Sequence, residues 1–233
     1  MSNVAKYYDG FSDRQQRAGI NLRHKSVLNW LKAFGLKSSD RLLEIGCGIG
    51  TVTELLCETL SEGQVVANDL SEKSIEIAKK NLSRFHNVTC FAGDFLESTV
   101  KGTFDVVLLP DVIEHIPIDQ HAELFKRIAS VLKPEGMVVI HIPDPYFLAW
   151  RHTQESQKNS LQIIDQSIYT DELVKAVYPA GLYIEHLQSY SLHVENNDYQ
   201  IIRLRKLREK SYPPVNRKSS IANRVLNKIK RSN

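Results

Sequence analysis

Apolar and polar residues recur in an order that divides most of the chain into short β-branched runs separated by helical patterns. Strands are expected at Arg41–Ile45, Gln64–Asn68, Val88–Phe91, Phe104–Leu109 and Met137–Ile142. Helical patterns lie between them near Thr51–Leu60, Ser71–Arg84 and Asp119–Leu132. Ser71 is a natural N-cap for the second of these, and Pro134 with Gly136 ends the third. A further helix is expected over Thr170–Tyr178, capped by Thr170 and closed by Gly181, followed by strands near Tyr183–Gln188 and Tyr199–Leu204. Strands that alternate with crossover helices predict a doubly wound α/β sheet. Ahead of the first strand, Val27, Leu28, Leu31 and Phe34 share one helical face within residues 1–36. Residues 143–169 form a long connection whose aromatics either line a substrate pocket or pack the insertion onto the body.

At 233 residues the chain has the length of one such domain with an insertion and a tail. Its apolar and charged fractions, 42% and 24%, are those of a globular protein and argue against disorder throughout. No apolar run is long enough to cross a bilayer, and the start, MSNVAKYYDG, lacks the features of a signal peptide. Cys47, Cys57 and Cys90 form no metal-type spacing, and their odd number suits a reducing cytoplasm. The net charge of +3 is unevenly spread. Residues 203–233 hold 11 Lys/Arg against a single acid, Glu209, whereas the other 202 residues hold 19 Lys/Arg against 26 Asp/Glu. An acidic body argues against specific nucleic-acid binding. In the tail, Ile221, Val225, Leu226 and Ile229 share a helical stripe, with Arg224, Lys228, Lys230 and Arg231 outside it. Such a segment suits peripheral contact with an anionic inner membrane face, a solvated tail, docking on the body or on a second subunit of a homodimer, or non-specific attraction of RNA phosphate.

The candidate chemistry gathers at strand ends. Glu44-Ile45-Gly46-Cys47-Gly48-Ile49-Gly50 lies where the first strand passes into a helix, and its glycines let the backbone turn sharply against a ligand. The spacing E-x-G-x-G-x-G differs from the dinucleotide fingerprint, which places its third glycine one residue later. Asp69, at the end of the second strand, is placed to accept ribose hydroxyls, although an aspartate there also serves as a helix cap. Asp94 follows the third strand and suits an adenine amino group, with Phe95 or Leu70 packed on the ring. Pro110 and Asp111 end the fourth strand and lead into Val112-Ile113-Glu114-His115.

Taken together, these segments resemble the class I S-adenosylmethionine (SAM) dependent methyltransferases, notably the branch with ubiquinone-biosynthesis and sugar O-methyltransferases. LLEIGCGIG resembles the family's first motif, NDLSEKSIEIAKKNL its second, AGDFLE its third, and FDVVLLPDVIEHIP and LKPEGMVVIHIP its fourth and fifth. The resemblance implies a Rossmann-like seven-stranded sheet with a reversed last strand and helices on both faces. It implies an N-terminal helical lid or cap over 1–36, a SAM-binding domain over 37–204 with a substrate-side insertion at 143–169, and a basic tail over 205–233. Glu44, Gly46, Cys47, Gly48 and Gly50 would lie at the methionine end, Asp69 at the ribose, and Leu70, Asp94 and Phe95 at the adenine, with Pro110 beside the cofactor.

Methyl transfer to a hydroxyl needs a general base. His115 is the first candidate, because its ordinary pKa of about 6.5 suits proton transfer near neutrality. His141 and Asp111 are further catalytic candidates and Asp144 a reserve; the structural alternative for His115 is a backbone hydrogen bond that fixes its loop. Asp111, Glu114, His115 and Asp144 are metal-competent residue types, but no metal is expected. Tyr7, Tyr8 and Phe11, with Arg14, Arg17 and Arg23, fall where related enzymes place a lid. The expected function is O-methylation of a small molecule or of a sugar or glycan precursor. The alternatives are N-methylation of an amino sugar or small amine, and a SAM-binding regulatory or scaffold protein without turnover. The motifs lack the Asn/Asp-Pro-Pro-Tyr signature of amino-directed nucleic-acid methyltransferases.

Overall fold

The structure is a computed structural model, which describes residues 19–98, 100, 102–154 and 164–207. Seven strands form one sheet in the order β3-β2-β1-β4-β5-β7-β6. They are β1 (Arg41–Ile45), β2 (Gln64–Asp69), β3 (Val88–Ala92), β4 (Phe104–Pro110), β5 (Leu132–Pro143), β6 (Leu182–Tyr190) and β7 (Tyr199–Lys206). β1 pairs in parallel with β2 and β4, β2 with β3, and β4 with β5. β7 runs antiparallel to both β5 and β6, so it is the reversed strand of a doubly wound sheet.

Alternation along the strands separates two cores, because successive side chains of a strand point to opposite faces. On one face Leu43, Val107, Val138 and Ile140 pack against α4 (His121–Val131) and α6 (Thr170–Val177) through Leu124, Phe125, Ile128 and Leu173. On the other, Leu42, Val106, Leu108 and Val139 meet α1 (Leu22–Ala33), α2 (Thr51–Thr59) and α3 (Glu72–Asn81) through Val27, Leu31, Val52, Leu56 and Ala78. α1 is therefore part of the body's core and more than a cap. Asn21 caps it by accepting the backbone N–H groups of Arg23 and His24.

Three local expectations are corrected. Thr170 is the first helical residue of α6 instead of its cap; Tyr169 precedes the helix, and its backbone N–H donates to the Glu172 carboxylate at 3.2 Å. α4 begins at His121, after the short turn Ile118–Gln120. β5 starts at Leu132, directly after α4, so Pro134 and Gly136 lie inside an irregular strand start where the pairing register with β4 shifts. Gly136 fits there because a Cβ would stand 2.8 Å from Leu132 Cδ1 and 3.0 Å from the Asp105 carbonyl oxygen. The insertion contributes α5 (Pro145–Thr153), whose Leu148 is buried while Tyr146 and Trp150 are 74% and 53% exposed. Tyr7, Tyr8, Phe11, Arg14, Arg17 and the amphipathic segment 220–231 lie outside the described residues. Among the described residues no helix is long and apolar enough to cross a membrane.

Candidate active site

The carboxyl ends of β1, β2 and β4 open onto a cavity of about 690 Å³, walled on another side by the first turns of α1. That size falls in the ordinary range for small-molecule sites, and carboxyl ends of parallel strands are where open α/β sheets bind ligands.

The glycine loop forms the floor. Gly46, Gly48 and Gly50 hold φ of 79°, 54° and 85°, a region in which a Cβ is strained. At Gly46 a Cβ would also stand 2.3 Å from Val112 Cγ2. The loop is tied to β2: the Gly46 and Cys47 N–H groups donate to the Asn68 carbonyl oxygen, and the Gly48 N–H donates to Asp69 Oδ2 at 2.8 Å. Asp69 Oδ1 accepts the Ser71 N–H at 2.9 Å, so this carboxylate both shapes the loop and starts α3. Burial raises its pKa.

Glu44 lies beneath the loop with no exposure. Its Oε2 accepts the Thr53 hydroxyl at 2.7 Å, whereas Oε1 is buried without a hydrogen-bond partner. Desolvation disfavours the charged form and pushes the Glu44 carboxyl up to about 7. Asp94 stays exposed at the far wall, one oxygen accepting the Leu96 N–H at 2.9 Å. Phe95 is 4% exposed and belongs to the core under the Arg127 guanidinium, whereas Leu70 is 37% exposed and open to a ring.

At the other end stand Pro110, Asp111 and His115. Asp111 holds φ of 54°, an unusual value outside glycine, and its Oδ2 pairs with the Arg23 guanidinium of α1. The carboxylate beside it raises the Arg23 pKa. His115 Nδ1 lies 2.7 Å from the Ile164 carbonyl oxygen. A carbonyl only accepts, so the proton sits on Nδ1 and Nε2 keeps its lone pair. Burial lowers the His115 pKa and leaves the ring neutral near pH 7. The structural alternative for His115 is therefore present, and it fixes the tautomer a base requires. Glu114 is 1% exposed with neither carboxylate oxygen hydrogen-bonded, and burial raises its pKa well above the usual range.

Of the residues singled out in the sequence, Glu44, Gly46, Cys47, Gly48, Asp69, Leu70, Asp94, Phe95, Pro110, Asp111 and His115 all line this one cavity. Gly50 and His141 do not. Gly50 stands at the N-cap of α2, and a Cβ on it would press on Leu82 and Ala78 at 3.0 and 3.3 Å, so it serves packing between α2 and α3. His141 is fully buried in β5, stacked on Tyr199 with ring centroids 4.7 Å apart, and desolvation takes its pKa down to about 4. Asp144 caps α5 by accepting the Tyr146 and Phe147 N–H groups. Among the described residues, no three His, Cys, Asp or Glu side chains gather as metal ligands. The insertion reaches the cavity through Ile164, while its aromatics Tyr146, Phe147 and Trp150 stay off the wall. Sequence reasoning gave no place to His24, and it assigned Arg23 only to a general lid. Polar residues at the start of an apolar helix carry no signal of what they face.

Residues 42–136 match the family described as a methyltransferase domain. That segment is a methyltransferase domain. The malonyl-[acyl-carrier protein] O-methyltransferase of Priestia megaterium is 30% identical to this chain over 139 residues, covering 60% of this chain and 48% of the relative. The ubiquinone biosynthesis O-methyltransferase of Bradyrhizobium diazoefficiens is 39% identical over 107 residues, 43% of this chain and 38% of the relative. The chain thus spans about half the length, or less, of these curated relatives. Magnesium protoporphyrin IX methyltransferase from Synechocystis PCC 6803, solved with bound SAH, shares the fold at a TM-score of 0.60 and 18% identity, over 78% of this chain and 80% of that one.

Proposed function

We propose that the protein transfers the methyl group of SAM to a hydroxyl oxygen of a small molecule. The observation that carries this reading is His115, a lining residue of the glycine-loop cavity whose Nδ1 meets the Ile164 carbonyl, which leaves Nε2, 3.7 Å from Glu114 Oε1, as the basic nitrogen.

The residues present fit the cofactor. SAM supplies an activated methyl on a sulfonium, beside an amino-acid end that carries an ammonium and a carboxylate. Glu44 offers the ammonium a buried oxygen with no other partner. Arg23 is the one Lys or Arg among the described residues lining the cavity, and it would take the carboxylate. Asp69 and Asp94 lie where ribose hydroxyls and an adenine amino group would be held, with Leu70 against the ring. The close approach of Gly46 to Val112 shows a loop with no room for a side chain at that position.

The protein's part in the reaction is alignment and proton removal. Holding an acceptor oxygen in line with the methyl carbon and the sulfur is worth on the order of 7–11 kcal/mol of barrier. With the cofactor bound, its sulfonium would supply the methyl group and keep the electron pair of the broken C–S bond, and His115 Nε2 would take the proton of the acceptor hydroxyl. A neutral imidazole is ready for this near pH 7, and such general-base assistance is typically worth ~10²–10⁴ in rate. The two named relatives are O-methyltransferases, which supports an oxygen acceptor. We extend the reading to a sugar or glycan precursor, for which Asn21 and Gln120 among the lining residues are suitable hydrogen-bonding side chains.

Calorimetric titration of SAM and its demethylated product, S-adenosylhomocysteine (SAH), into wild type and Asp69→Ala tests the cofactor site. Micromolar binding lost in the variant supports the reading, and absence of binding by folded wild type refutes it. SAH release with hydroxylated acceptors, beginning with nucleotide sugars, then tests the reaction.

A further inference from the structure

Arg23 does not stand alone in its place. Behind it runs a polar circuit that begins and ends on α1, with a fully buried His141 between half-buried partners. Its partner Asp111 directs Oδ2 to the guanidinium, while Oδ1 is buried with no hydrogen-bond partner. That oxygen faces His141 Nδ1 at 3.9 Å, an atom equally without a hydrogen bond. The other ring nitrogen, Nε2, lies 2.7 Å from the Tyr190 hydroxyl at the end of β6. Tyr190 in turn meets the Ser26 hydroxyl at 2.8 Å, one turn along α1 from Arg23.

One arrangement of protons fits the two hydrogen bonds and leaves the 3.9 Å approach of His141 to Asp111 as an electrostatic contact. The Ser26 O–H donates to Tyr190, the Tyr190 O–H donates to His141 Nε2, and the Nδ1–H then points at the Asp111 carboxylate, which only accepts. Tyr199 braces the assembly from β7, stacked on His141 and hydrogen-bonded to the Arg23 guanidinium. None of His141, Tyr190 or Ser26 lines the cavity. Burying a polar ring such as His141 is expensive unless it is hydrogen-bonded, and its bond to Tyr190 fixes the ring beside Asp111.

We propose that Ser26, Tyr190 and His141 are positioning residues that set Asp111, and through it the Arg23 guanidinium, to receive the carboxylate of the cofactor. This rests on the cofactor reading above and adds to it a cause for the seating of α1. Three strand ends and one helix then have to be in register before the amino-acid end of the ligand is bound in full. The nucleoside end, held by Asp69 and Asp94, does not depend on the circuit.

The test compares two ligands that share the nucleoside and differ in the amino-acid end. SAH and 5′-methylthioadenosine, which lacks that end, are titrated calorimetrically into full-length wild type, Tyr190→Phe, Ser26→Ala and Asp69→Ala. Tyr190→Phe keeps the ring and removes only the bridging hydroxyl, and is expected to weaken SAH on the order of tenfold. Ser26→Ala, on a half-buried site of α1, shifts SAH in the same direction by less and guards against a folding defect in the first variant. In both, 5′-methylthioadenosine affinity stays within about twofold of wild type, while Asp69→Ala weakens both ligands. Equal weakening of both ligands in Tyr190→Phe and Ser26→Ala makes the circuit merely structural and overturns the proposal, as does unchanged SAH binding. Failure of wild type to bind either ligand defeats the cofactor reading itself, and the proposal with it.

Discussion

Consider replacing Glu44 with glutamine. In the folded protein without ligand the Glu44 carboxyl is raised from 4.5 to about 7 by burial, and one oxygen has no partner. The folded chain therefore holds this proton more tightly than the unfolded chain does. Stability from this group is complete below its unfolded pKa and is lost as pH rises through the folded value. The loss levels off at about 3 kcal/mol above pH 7. Glutamine accepts the Thr53 hydroxyl through its carbonyl and carries no charge, so Glu44→Gln removes that penalty and raises the melting temperature of the ligand-free protein at about pH 8. Cofactor binding runs the other way. An ammonium pairs with the carboxylate, so binding expels the proton, and wild-type affinity for SAH falls roughly eightfold from about pH 7.5 to about pH 6. The variant loses the charge-assisted contact, worth about 1.5–3 kcal/mol, together with the pH slope. Differential scanning fluorimetry of the free protein and calorimetry with SAH across this window read both effects. A wild-type affinity that stays flat across the window, or a variant less stable than wild type at pH 8, refutes the reasoning.

His115→Ala is expected to lower turnover of a hydroxyl acceptor by ~10²–10⁴ while leaving SAH affinity unchanged by calorimetry; an inert substitution would instead point to an amine acceptor. Gly46→Ala meets both a φ of 79° and the Val112 side chain, and is expected to cost about 1–3 kcal/mol in thermal unfolding and to weaken SAH binding. Because desolvation depresses the His115 pKa, the acid limb of the kcat/KM profile is expected below the ordinary histidine value, with activity lost only as pH falls through the depressed pKa and the ring gains its proton. Removal of residues 208–233 is expected to abolish co-sedimentation with anionic vesicles at low salt without changing SAH affinity, since eight of the chain's Lys/Arg residues lie in that segment.

The linear sequence determined the order of strands and helices and the glycine-loop floor of the cavity. Buried parallel strands require unbroken apolar runs, so β1, β2, β4 and β5 are legible as such. A loop that turns tightly under a ligand requires glycines at fixed offsets, and carboxylates at strand ends fall on one edge of a parallel sheet through connectivity alone. That is why Glu44, Gly46, Gly48, Asp69 and Asp94 meet in one cavity. The tertiary structure decided what depends on burial and on contacts distant in sequence. Arg23 and Asp111 are 88 positions apart, and only the docking of α1 across the strand ends pairs them. His115 owes its tautomer to a carbonyl 49 residues away, which no local pattern encodes. His141 and Gly50 occupy suitable motif positions, yet one points into the core and the other packs two helices. Motif spacing fixes where a backbone passes, whereas the side a residue faces is set by what packs against it.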